Sequence, residues 1–146
     1  MMPLWKRMAT ERLQQYTAMK KAERFLQEQL RQCRQPGRIA PEQRLDVMAR
    51  RMALEERYAY VKRWVEATEK ALAVLPPEEY LVVERLYFTP DKGRLVGLCD
   101  QLHCEQSTVY RRRDKALERI TRALGGKGRR RRETTGMESG ELRIEN

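Results

Sequence analysis

The chain has 146 residues, 36% of them charged and 7% aromatic, with a formal net charge of +10 and a pI near 9.9. That balance is too polar for one core to cover the whole length, and it suits long, partly exposed helices. It favours a polyanionic partner, nucleic acid before an anionic membrane surface, and no apolar run approaches the roughly 20 residues that span a bilayer.

In chain order, residues 4–34 predict one helix. Neither Gly nor Pro falls between Pro3 and Pro36, and good helix formers dominate. Trp5, Met8, Leu13, Tyr16, Met19, Leu26 and Leu30 recur mostly three or four apart, which makes the helix amphipathic. It carries eight basic and three acidic residues, a solvated face on a packing helix or an added nucleic-acid contact. Gln35-Pro36-Gly37 ends it.

Pro41 suits a first helical position, and a second helix is expected from there to about residue 74. Leu54, Tyr58, Val61, Val65, Thr68, Leu72 and Leu75 alternate spacings of four and three, the seam of a coiled coil over three heptads. Before Leu54 the apolar positions shift to Leu45, Met48 and Met52. The seam must be buried. An antiparallel hairpin with the first helix is expected to cover part of it, and a second chain the rest, which predicts a homodimer.

Pro76-Pro77 breaks the helix, and a third is expected over 77–88. Tyr80 to Val83 is the one β-prone run, and helix signals flank it, so the fold class is all-α. Thr89 to Gly93 is turn-rich. Leu95, Leu98 and Leu102 mark a short helix. After a turn at His103-Cys104, Glu105 can cap a helix whose apolar face is Val109, Ala116, Leu117, Ile120 and Leu124. Its other face is basic. Residues 111–124 hold six basic and two acidic residues, against three and six in residues 76–110. A short helix, a turn of about three residues and a basic helix make a helix-turn-helix pattern.

Gly125-Gly126 stops that helix, and 125–146 reads as a disordered basic tail. Its Arg129, Arg130, Arg131 and Arg132 can grip phosphates without sequence preference, or simply keep the chain soluble. The division is thus 1–75, a long helical hairpin for oligomerisation or partner binding; 76–124, a helix-turn-helix domain; and the tail.

Leu75, Pro76, Glu79, Thr108, Val109, Ala116 and Leu117, in that order and spacing, carry a resemblance. Residues 75–124 resemble region 4 of bacterial sigma factors, and more closely the small phage late-gene regulators of the ArpU and RinA type. The family's turn has Gly after its last Leu, where φ is positive; His103 stands there, and Glu105 replaces the usual Ser or Thr cap. The resemblance implies a DNA-binding regulator of phage transcription, with RNA polymerase as a further partner. By position, Gln106, Ser107, Tyr110 and Arg111 become the readers of base edges, while Arg112 and Lys115 are better placed for phosphates.

No phosphate loop, carboxylate pair or nucleophile triad is present, so no enzyme is expected. Cys99, His103 and Cys104 could be read as three metal ligands, but no fourth follows at zinc spacing, and packing and turn roles are favoured; no cofactor or metal is expected. Three cysteines are expected to be free thiols in a cytoplasmic, nucleoid-associated protein. A terminase-like small subunit for phage packaging is the other functional reading, because it also joins a helix-turn-helix to oligomerising helices.

Overall fold

Two long helices, α1 (Leu4–Arg34) and α2 (Arg44–Ala73), form an antiparallel pair in the computed structural model, which describes residues 2–34, 37, 40–89 and 94–125. Higher numbers on α1 meet lower numbers on α2: Arg12 reaches Thr68, whereas Leu26 packs with Val61. One 3-10 turn, Pro41–Gln43, leads into α2, with Pro41 at its first position. The fixed φ of Pro and its missing N–H fit that place. Among the described residues there is no strand, and no helix is long and apolar enough to cross a membrane.

The heptad seam is closed within the chain. Val61, Val65, Thr68, Leu72 and Leu75 are buried, and Leu54 and Tyr58 are half-buried. This corrects the expectation that part of the seam stays free for a second chain. Leu26 of α1 covers Val61 and Val65, and the last helix covers Leu72 and Leu75. Leu45, Met48 and Met52, upstream of the seam, are among the large apolar residues left outside.

Thr68 is the polar member of that seam and is fully buried. Its hydroxyl donates to the Trp64 carbonyl at 2.8 Å and accepts from Arg12 Nε at 2.8 Å. Arg12 Nη2 also donates to the Trp64 carbonyl at 3.0 Å, and the guanidinium lies 4.4 Å from the centroid of a Trp64 ring. The Thr68 proton is thus held within α2, and the tie across the hairpin is Arg12, whose two hydrogen bonds from α1 depend on the register. A second tie lies beside it: the Tyr16 hydroxyl and Lys20 Nζ both donate to Glu69 Oε2, at 2.6 and 2.8 Å.

A third helix, α3 (Pro77–Val83), runs straight into a single π-helical turn, Glu84–Phe88. The expected helix over 77–88 is therefore present, with its last turn widened and closed by the Thr89 N–H on the Glu84 carbonyl at 3.0 Å. The short helix α4 (Arg94–Leu102) and α5 (Gln106–Ala123) complete the fold. Neighbouring residues of α3 serve two cores. Val83 joins Ala9, Leu13, Leu72, Leu75, Leu117 and Ile120, while Val82 joins Leu98 and Val109. Tyr87 and Phe88 of the widened turn pack against the first of these cores. The core thus runs on across residue 75, from the hairpin into the C-terminal helices.

Replacing Arg12 by Leu removes two charge-assisted hydrogen bonds and the ring contact, at an expected cost of about 1–3 kcal/mol. Urea denaturation followed by circular dichroism reads the loss.

The Glu69 carboxyl is held below its ordinary value of 4.5 by the hydrogen bonds from Lys20 and Tyr16. A lowered pKa gives stability that is complete above the ordinary value and is lost as the pH falls through the lowered one. Glu69→Gln should therefore flatten the fall of stability on the acid side, measured as urea midpoints from neutral to acid pH.

Candidate nucleic-acid interface

The turn between α4 and α5 takes three residues, His103 to Glu105. The N–H of Cys104 bonds to the Cys99 carbonyl at 3.1 Å, and the N–H of His103 to the Asp100 carbonyl at 3.3 Å. This pair of bonds is a Schellman closure, which requires a left-handed residue just past the helix end. That residue is His103, with φ of 53°, at the position where the family pattern has Gly. Glu105 then stands at the N-cap in extended conformation, φ −82° and ψ 163°. Its side chain makes no capping hydrogen bond, so its contribution there is charge near the positive helix end.

Three sides of α5 are engaged by the rest of the chain. Val109, Ala116, Leu117 and Ile120 are fully buried. On one flank two arginines reach the first turn of α3. Arg119 Nε donates to Glu79 Oε1 at 2.9 Å, and Arg112 Nη1 lies 3.0 Å from Glu78 Oε2 without the alignment of a hydrogen bond. Glu79 is itself buried, so its pairing with Arg119 offsets a desolvation cost. The Glu of the Leu-Pro-x-x-Glu pattern is thereby a clamp between α3 and α5. On the other flank the Arg113 guanidinium lies 4.8 Å from the Tyr110 ring centroid and donates to Asp114 Oδ1 at 2.9 and 3.0 Å. Lys6 of α1 binds the same carboxylate oxygen at 2.8 Å. Partial burial alone would raise the Asp114 carboxyl; the bonds from Lys6 and Arg113 outweigh it and hold the group below its ordinary range.

What remains outward is the strip Ser107, Arg111 and Lys115, with Gln106 and Tyr110 exposed beside its N-terminal end. Arg111 and Lys115 make no ion pair among the described residues. Four residues singled out from the sequence as base readers therefore share the exposed N-terminal half of α5, and Lys115 stands one turn further on. Arg112 is placed differently: half-buried and turned to Glu78, it is unlike an outward phosphate contact. Arg129 to Arg132 lie outside the described residues. An open groove, lined by Pro3, Trp5 and Lys6 of the N-terminal segment and by Arg111 and Lys115, adjoins the strip.

Sequence reasoning missed the inward role of Arg112 and Arg119. The available signal was the acidic pair Glu78-Glu79 at the start of α3, with no partner on its own short helix. Cys99 and Cys104, weighed as metal ligands, pack against the core formed by Val82, Leu98 and Val109. Among the described residues no group of three His, Cys, Asp or Glu could hold a metal ion.

The chain matches no family model, and neither a similar curated protein nor a similar solved structure is found.

His103 occupies a backbone region that costs an L-residue about 1–2 kcal/mol and glycine nothing. Gly has more freedom to lose on folding, so His103→Gly should raise stability by a few tenths to about 1 kcal/mol. His103→Val should lower it. Thermal and urea midpoints of the two variants check both signs.

Proposed function

We propose that this chain is a sequence-specific double-stranded DNA-binding regulator of transcription, of the phage type, that reads the major groove with the N-terminal half of α5. The observation that carries this reading is the exposed strip of Gln106, Ser107, Tyr110, Arg111 and Lys115 on a helix held on its other sides. Proteins of this design insert the start of the second helix into the groove and let the first helix cross the backbone. The short three-residue turn supports that use, because it holds α4 and α5 as one rigid pair.

Roles follow from side-chain geometry. The fork of Arg111 suits the two acceptors of guanine, and Gln106 the donor and acceptor of adenine. Ser107, in the first turn, can meet a base or a phosphate. Lys115, a point charge one turn further along, suits a phosphate. The inward arginines keep α5 seated while the outward ones meet DNA. The reading is non-catalytic, and the family resemblance adds RNA polymerase as a second partner.

Footprinting on phage genomic DNA identifies the site. On that site Arg111→Ala should weaken binding by about 1–3 kcal/mol and leave random DNA nearly unaffected. Lys115→Ala should weaken both alike and reduce the salt slope by about one. Equal losses from Arg111→Ala on both DNAs would assign Arg111 to phosphate instead.

A further inference from the structure

The N-terminal half of α2 is apolar on two sides. At about 100° per residue, Leu54, Tyr58, Val61, Val65, Thr68 and Leu72 fall on one face, and this face is covered by α1 and α5. Leu45, Met48, Met52 and Tyr60 fall within about 120° of arc on the opposite face. They are 78%, 57%, 61% and 58% exposed. Ala49 and Ala53 lie exposed beside them. Four large apolar side chains on one strip of a monomer mark an interaction surface, and Met suits such surfaces because it adapts its shape.

We propose that this outer face of α2, residues 45–60, binds a second copy of the chain lying antiparallel to it, with the two-fold axis near Met52. Self-complementary charge on the flanks suits a second copy, and Glu56 selects the direction: in a parallel pair Glu56, which sits within the strip, would face its own copy. In the antiparallel pair Glu56 lies opposite Met48, and Leu45 opposite Ala59. On one flank Asp46 meets Arg57 of the second copy, twice by symmetry. On the other flank the two Arg51 side chains straddle the axis, each between Glu55 of its own chain, 3.8 Å away, and Glu55 of the second copy. Arg44 would face Lys62 of the second copy, but the Lys62 ammonium is drawn to the Tyr58 ring of its own chain, 5.9 Å from its centroid. Because α1 occupies the far side of α2, the two hairpins can lie side by side without rearrangement.

The dimer itself does not depend on the DNA-binding reading. If that reading holds, a consequence follows. The last helix packs on α2 around Leu72, about 30 Å along the axis from Met52 at 1.5 Å per residue. Two copies related at Met52 hold their α5 helices about 60 Å apart along that axis.

Sedimentation equilibrium of the full chain without DNA, from low to several hundred micromolar, tests the surface. A monomer–dimer equilibrium is expected. Met52→Asp should abolish it while the helical circular dichroism stays unchanged, since Met52 touches no core. Asp46→Arg should weaken association about tenfold. Adding Arg57→Asp to it should restore the native value, because only the antiparallel pair brings positions 46 and 57 together. A folded monomer at the highest concentration overturns the proposal. So does a dimer that Met52→Asp leaves intact, or a double variant as weak as Asp46→Arg alone. Loss of DNA binding with the dimer preserved would strike the reading of α5 and leave this surface standing.

Discussion

The buried contact among Arg12, Trp64 and Thr68 sets the register of α1 on α2, and the remaining packing depends on that register. A seam made only of Leu and Val tolerates sliding by a heptad, since one apolar layer resembles the next. The contact of a half-buried arginine does not: sliding would take Arg12 away from the Thr68 hydroxyl and the Trp64 carbonyl that accept its hydrogen bonds. With the register set, Ala9 and Leu13 of α1 stand level with Leu72 and Leu75 of α2, and together they form the apolar slot that Leu117 and Ile120 enter. The hairpin is therefore the floor on which the C-terminal helices are built.

Between that floor and α5 lies α3, short but used on both sides. Val82 and Val83 point into different cores, and Glu78 and Glu79 hold arginines of α5. The basic residues of α5 are consequently divided by direction. Those facing α3 are neutralised locally and stabilise a partly buried joint. Arg111 and Lys115, facing outward, make no ion pair among the described residues. Net charge alone would credit every arginine of this helix to DNA, whereas the geometry leaves Arg111 and Lys115 as the outward cations of its N-terminal half.

The same division applies to α2. Its later half is consumed by the fold of its own chain, and its earlier half shows an apolar strip on the opposite face. A helix of about 45 Å can serve both purposes because residues 45–60 reach beyond the part that α5 touches. One element thus carries the internal core at one end and the proposed self-association surface at the other.

The elements themselves were legible in the sequence. Pro3, Pro41, Pro76-Pro77 and Gly125 punctuate the chain where helices begin or stop, and spacings of three and four identify the buried faces of α2 and α5, so the bounds of α1, α2 and α5 follow within about three residues. The positive φ at His103 was expected from the resemblance alone, whose pattern has Gly after the last Leu. What the sequence left open was the identity of each partner surface. Periodicity says that Leu72 and Leu75 are buried but not that α5 buries them, since that contact joins residues some forty positions apart. Composition says that α5 is basic but not that Arg112 and Arg119 turn inward, which depends on where α3 comes to rest. And the shift of apolar positions at Leu45, Met48 and Met52 became a second surface only once α1 had taken the opposite face. Local propensity and pattern determine elements; only the packed chain decides which of their faces remain for other molecules.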